Sequence, residues 1–244
     1  MSDVNAFLNK ISSLNNEQLI TAKIPSTGET AVFTPVTVKQ QKQLLKQTLG
    51  GVSSVTDLLV NLNEIILTNC RSTARLMSYD KYPVLVALRK NAFGNNIKLD
   101  GKDYDLNSLP LADKVSTTLN GTEFTVDKIK VTIATPSLEE ETKFIKKCGT
   151  EFKKTGNDDA KEIVTSMYVA EIAKFVKMVE VDGTTLDFGS LNVTDMIKVV
   201  ENLPVSVNQK VLDFVSSIRE YENRFITFDD GASLPIDALF ITSE

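Results

Sequence analysis

The chain has 244 residues, 42% of them hydrophobic and 24% charged, with a formal net charge of −5 and no histidine. This is ordinary globular usage, enough chain for one large domain or two small ones. The acidic balance argues against a nucleic-acid partner, which needs clustered Lys and Arg to neutralise phosphates.

In chain order, Val4, Phe7, Leu8, Ile11 and Leu14 recur at helical spacing and predict a short amphipathic helix. Leu19–Ile24 and Ala31–Thr34 read as two strands joined by the turn Pro25-Ser26-Thr27-Gly28-Glu29. After Pro35, Thr37 and Gln40 form a capping box, opening a helix Val38–Leu49 that stops at Gly50-Gly51. A second helix is expected from Ser54 to Cys70, with Val55, Leu58, Leu59, Leu62, Ile65 and Ile66 as its apolar stripe. A third runs from Lys81 to Phe93, with Pro83 in its first turn and Gly94 closing it.

Near Asn95–Ile97 the period changes. Residues 97–106 alternate around Asp100-Gly101, a hairpin signal. Asn120-Gly121 is read as a turn before strands at Phe124–Val126 and Ile129–Ile133. Pro136-Ser137, with Glu140 three residues on, starts a further helix. The longest helix is expected over Asp158–Val179, with Ile163, Val164, Met167, Tyr168, Ile172, Phe175, Val176 and Val179 on one face. Asp182-Gly183 marks another turn, Asn192–Asn202 a helix ending at Leu203-Pro204, and Val205–Asn223 a last helix. The tail Arg224–Glu244 is expected to end as a small hairpin or an extended arm. No internal repeat is visible. The class is α+β: a strand pair and helical group over residues 1–94, a β-rich middle over 95–136, and a helical part over 137–244.

The residues offer little chemistry. Without histidine there is no Ser–His or Cys–His nucleophile, and the usual general base near neutral pH is missing. Asp158-Asp159 and Glu139–Glu141 fall where helix N-termini favour negative charge, and Asp229-Asp230-Gly231 reads as a turn. Neighbouring acids also point apart on helices and strands, so these make poor acid–base pairs. No phosphate-cradling glycine loop and no complete calcium loop is present. Lys39–Lys46 and Lys143–Lys154 read as solvated helix faces. Cys70 and Cys148 read as free thiols in a reducing cytoplasm; no signal peptide or membrane-spanning run is expected. These residues imply a protein that binds other proteins, with no cofactor, metal, nucleic acid or membrane. A carboxylate- or metal-dependent enzyme is the rival class, and it would need Asp and Glu converging in one cleft.

Three segments carry a resemblance. Ile24-Pro25-Ser26-Thr27-Gly28-Glu29 with Val32-Phe33-Thr34-Pro35-Val36-Thr37-Val38-Lys39 resembles the opening of the T4-like phage baseplate hub subunit family. Asn69-Cys70, followed by Asp80 through Leu88-Arg89 to Gly94, is similar to that family's helix end and its Leu-Arg segment. Ile129–Glu139, with Pro136, resembles its strand-Pro-helix step. Some members carry a Cys-x-x-Cys element near the C-terminus, and residues 205–244 here have none. The resemblance implies a hub subunit or hub assembly factor. Such a protein would sit in the host cytoplasm during assembly and in the tail baseplate if incorporated, bound to other tail proteins such as hub and tape-measure proteins. The ends, where the resemblance fades, become the expected partner contacts: Phe7, Leu8 and Ile11 at the start, and Phe225, Phe228, Leu239 and Phe240 in the tail.

Overall fold

The structure, a computed structural model, describes residues 2–48, 53–110, 117–154, 160–236 and 239–240. It divides into two units: residues 1–76, 80–114 and 223–244 form the first, and 77–79 and 115–222 the second. Both mix helices with antiparallel strands, so the fold is α+β.

The first unit holds α1 (Ser2–Glu17), β1 (Ile20–Lys23), β2 (Thr30–Phe33), α2 (Val38–Thr48), α3 (Ser53–Asn69), α4 (Lys81–Phe93), β3 (Asn96–Leu99) and β4 (Lys102–Asp105). β1 and β2 pair antiparallel, with Ile20 opposite Phe33 and Lys23 opposite Thr30. Alternation along β1 buries Ile20 and Ala22 and leaves Thr21 and Lys23 in solvent. The capping box at α2 forms as its sequence requires. The Gln40 side chain accepts from the Thr37 backbone N–H at 2.9 Å, and the Thr37 hydroxyl accepts from the Gln40 N–H at 3.3 Å. Leu62, Ile65 and Ile66 of α3 and Val84, Leu85 and Leu88 of α4 are buried and supply the core.

The second unit holds β5 (Gly121–Val126), β6 (Ile129–Ala134), α5 (Leu138–Lys154), α6 (Ala160–Ala173), β7 (Val176–Val181), β8 (Thr184–Asp187), α7 (Val193–Asn202) and α8 (Val205–Asn223). Its four strands form one antiparallel sheet in the order β5-β6-β7-β8. Val131, Ile133, Val179 and Phe188 from the sheet side pack with Val207, Val211, Phe214 and Ile218 of α8, and Tyr79 joins them. A second capping box, Ser137 with Glu140, starts α5 at 2.9 and 3.2 Å. Such a box is worth about 1 kcal/mol.

The expected helix over Asp158–Val179 is corrected. α6 ends at Ala173, and Val176–Val181 is strand. Val176 and Val179 suit an i,i+3 helical face, but the run is β-branched and β6 offers an open edge. Ile133 of β6 pairs with Val176, and the Ala134 N–H donates to Phe175 O at 2.9 Å. The longest described helix is α8 instead.

The expected absence of a repeat is also corrected. Asp100-Gly101-Lys102-Asp103-Tyr104-Asp105-Leu106-Asn107-Ser108-Leu109 and Asp182-Gly183-Thr184-Thr185-Leu186-Asp187-Phe188-Gly189-Ser190-Leu191 adopt one conformation. In each, an Asp-Gly pair at positive φ turns the hairpin. The closing aspartate then accepts from the N–H two residues on at 2.9 Å, and the serine hydroxyl donates to its carbonyl at 2.7 Å. The likeness reaches further. In both units a hairpin runs through Thr-Pro into a capping box and two helices, and the chain then returns against the second strand. In the first unit this return is the Phe33–Cys70 bridge, and in the second it is β7. α4 intervenes before the Asp-Gly hairpin in the first unit only.

The expected stop at Gly50-Gly51, the polar loop with Asp158-Asp159, the side chains of Val55, Ile163 and Val164, and Ile241 lie outside the described residues.

Candidate functional site

α1 carries its apolar stripe in solvent, where a helix packed on its own core would bury it. Its apolar residues are exposed: Val4 65%, Phe7 64%, Leu8 53%, Ile11 40% and Leu14 58%. Its polar residues Ser12, Asn15 and Asn16 line a groove of ≈ 380 Å³ with Gln40, Asn69 and Arg71. Arg71 Nη2 donates to Asn16 Oδ1 at 2.7 Å, which ties the end of the helix down by its polar face. Phe7, Leu8 and Ile11 therefore stand together on one open surface.

The residues that carry the resemblance sit at structural joints. Ile24 O accepts from Gly28 N at 2.8 Å and from Thr27 N at 3.3 Å, and Gly28 has φ +74°, so the turn needs a residue tolerant of that conformation. Pro25 is buried beneath it. Ser26 donates from both its N–H and its hydroxyl to Asp80, which is fully buried. Pro35 ends the strand region, and its carbonyl accepts from Asn69 Nδ2 at 3.0 Å, as Thr34 O does at 3.1 Å. Gln40 Nε2 completes that network by donating to Asn69 Oδ1 at 2.8 Å. Cys70 follows α3 in the bridge to Phe33 and is a free thiol.

Leu88 is buried in α4. Arg89, also buried, spans the helix C-terminus by donating to Gly94 O at 3.3 Å and Asn96 O at 3.4 Å, with its guanidinium 4.7 Å from the Phe93 ring centroid. Burial lowers its pKa. Gly94 takes φ +83° just beyond α4. In the second unit Pro136 is buried, and its carbonyl accepts from Ser78 N at 3.0 Å.

The tail is folded into the first unit. Phe225, Phe228, Leu239 and Phe240 are all buried. Phe228 stacks on Tyr104 with centroids 4.5 Å apart, and Phe240 meets Phe93 edge-on at 6.5 Å. A tight turn at Asp230-Gly231, closed by Phe228 N donating to Ala232 O at 2.8 Å, gives the hairpin form of the two forms expected. Asp230 also bonds Lys102 and, at 3.1 Å, the Tyr104 hydroxyl. The hydrogen bond from Lys102 lowers the Asp230 pKa, and the same contact raises that of Lys102.

Charge converges in one further place, within the second unit. Lys174 Nζ lies 2.8 Å from Glu141 and 2.7 Å from Glu171, and the Lys174 and Glu141 side chains are both buried. Next to them burial pushes the Cys148 thiol up to about 12, helped by the Glu171 charge. Glu141 thus acts in a buried ion pair as well as in the acidic first turn of α5. Lys174 thus stands between two carboxylates, one of them buried with it. Among the described residues, no three or more Cys, Asp and Glu side chains gather to hold a metal ion, and no helix is long and apolar enough to cross a membrane.

Sequence reading missed Asp80, Asn69 and the Lys174–Glu141 pair as working parts. Asn69 could have been found as a polar residue ending an otherwise apolar helical stripe. The partners of Asp80 and Lys174 lie too far away in sequence for any local pattern to show them. No curated protein and no solved structure matches the chain. A protein-family model described as T4 bacteriophage base plate protein matches residues 16–223.

Proposed function

Since this chain belongs to the T4 bacteriophage base plate protein family, and is therefore a phage baseplate protein, we propose that it serves in the baseplate hub. It acts there without catalysis, through contacts with other tail proteins, hub and tape-measure proteins among them. The observation that carries this reading is the outward apolar face of α1, since a protein whose own core is closed has no internal use for Phe7, Leu8 and Ile11 in solvent. The hub is favoured over other parts of the baseplate by the Pro25-Ser26-Thr27-Gly28 turn and the segments that follow it in order. The missing histidine favours a non-catalytic role.

The test is co-expression of the full chain with hub and tape-measure proteins. Co-purification is expected, and Ile11→Asp is expected to abolish it with the fold intact by circular dichroism. Co-purification indifferent to Ile11→Asp would remove α1 as the contact. Quantitative proteomics of purified particles separates the two forms of the reading: a subunit is present at stoichiometric level, and an assembly factor is not.

A further inference from the structure

We propose that Asn120 is a modification site: it loses its side-chain amide by ring closure onto the backbone nitrogen of Gly121, and the Tyr79 hydroxyl holds this reaction back in the folded chain.

Asn120-Gly121 is the one Asn-Gly pair in the sequence. Such ring closure is easiest where the following residue has no side chain to obstruct it, and here the fold does not let that glycine be replaced. A Cβ at Gly121 would lie 2.7 Å from Ile133 O and 3.0 Å from Ala134 Cβ. The residue that makes the pair susceptible is therefore imposed by the close approach of β5 to β6.

The nucleophile is free of the ladder. Asn120 O accepts from Thr135 N at 3.1 Å, whereas Ala134 N donates to Phe175 O at 2.9 Å, on the β7 side. Gly121 stands opposite Ala134 and so occupies a non-hydrogen-bonded position, its N–H directed away from β6. β5 is an edge of the sheet, and no described strand lies beyond it. Asn120 is exposed and Gly121 half-buried, so water reaches both reacting groups.

The electrophile is held. Tyr79 Oη donates to Asn120 Oδ1 at 2.6 Å. The Tyr79 ring is fully buried in the core of the second unit, edge-on to Tyr221 with centroids 5.9 Å apart, so its hydroxyl is a fixed point. Ring closure turns the asparagine side chain to bring its carbonyl carbon onto the Gly121 nitrogen, and a pinned oxygen opposes that turn. One neutral hydrogen bond slows such a step about fivefold and does not stop it.

The Gly121 nitrogen gives up its proton to water and attacks the side-chain carbonyl carbon of Asn120. A C–N bond forms, the bond to the amide nitrogen breaks, and that nitrogen takes up a proton and leaves as ammonia. Water then opens the cyclic imide at either carbonyl. The products are aspartate and isoaspartate, the second with the main chain routed through the former side chain. Either one puts a carboxylate where Tyr79 now meets a neutral amide.

The test is incubation of the full chain at mildly alkaline pH, followed by digestion and peptide mass analysis. Asn120 should gain one mass unit, partly as isoaspartate, and faster than Asn202, which is exposed but followed by Leu203. Tyr79→Phe keeps the ring and removes the hydroxyl, so it should speed the change at Asn120 about fivefold and leave Asn202 unaltered. Unfolding the parent chain in guanidinium should raise the Asn120 rate at least as much, a readout that does not depend on how the variant folds. Asn120 left unmodified in both proteins overturns the proposal, as does an equal rate at Asn120 with and without the hydroxyl. Equal acceleration of Asn202 in the variant, or no acceleration of Asn120 on unfolding, overturns the hold assigned to Tyr79.

Discussion

Ser26 donates twice to the one carboxylate of Asp80, from its N–H at 2.8 Å and from its hydroxyl at 2.6 Å, across 54 residues of sequence. Asp80 immediately precedes α4, where an aspartate would ordinarily cap its own helix, yet its side chain makes no cap bond. Its carboxylate is committed to the turn instead, which fastens the β1–β2 hairpin to the start of α4. That explains why the Pro-Ser-Thr-Gly turn and the segment beginning at Asp80 belong together.

Removing the acceptor should therefore cost more than removing one donor. Asp80→Ala is expected to destabilise the protein by about 3 kcal/mol, Ser26→Ala by about 1.5 kcal/mol, and Asp80→Asn by an amount in between. Urea denaturation followed at the first unit's tyrosines measures it. Equal losses for Asp80→Ala and Ser26→Ala would contradict the shared-acceptor arrangement.

The two ends of the chain should respond oppositely to truncation of aromatic side chains. Phe228 and Phe240 are buried against Tyr104 and Phe93, so Phe228→Ala and Phe240→Ala should each cost about 3–5 kcal/mol. Phe7, which stands in solvent, should change stability by no more than about 0.5 kcal/mol as Phe7→Ala. Thermal melts of dilute protein, below any self-association, make the comparison. A large loss at Phe7 would mean that α1 is part of the core.

What was legible in the sequence is what local chemistry decides. Pro83 in the first turn of α4, Gly94 beyond its end, the Thr37–Gln40 and Ser137–Glu140 capping boxes and the Asp-Gly hairpins all fall where their residues ask. The boundary at Ala173 was not legible, because Val176 and Val179 satisfy a helical period as well as a strand one. The decision belongs to β6, whose free edge lies more than forty residues earlier in the chain. The tail was illegible for the same reason: its weak alternation says nothing of the rings on β4 and α4 that cover it. At the candidate site, the apolar stripe of α1 could be read from its spacing. Its exposure could not, since no local pattern tells whether a distant element covers the stripe.

The repeated hairpin allows a paired prediction. Gly101 and Gly183 take φ +83° and +81°, and an added Cβ would meet nothing within 4 Å at either position. The cost of Gly101→Ala and of Gly183→Ala should then be backbone strain alone, about 1–2 kcal/mol each, and equal in the two copies. Asn tolerates the left-handed region better, so Gly183→Asn should lose less than Gly183→Ala. Chemical denaturation of the three variants checks this. A clear inequality between the two alanine variants would mean that the copies differ in surroundings as well as in sequence.

The buried thiol of Cys148 feels the charges of Glu171 and Lys174. In the folded chain the Cys148 pKa rises from 9.0 to about 12, first because burial disfavours the thiolate and then because Glu171 repels it. Above pH 9 the unfolded chain loses this proton and the folded chain keeps it, so the unfolded state binds fewer protons and stability falls as pH rises. The contribution is complete below the unfolded value and is lost between about pH 9 and pH 12, by about 1.4 kcal/mol per pH unit. Cys148→Ala should remove that slope while adding a roughly constant packing loss, so the stability curves of variant and parent should converge with rising alkalinity. Native Cys148 should also resist thiol reagents at pH 8 until the chain unfolds, with Cys70, which is only half-buried, reacting first. Curves that stay parallel from pH 9 upward, or Cys148 labelling as fast as Cys70 in the folded chain, would show that the thiol is open to solvent and that the Glu141–Lys174–Glu171 cluster does not seal it.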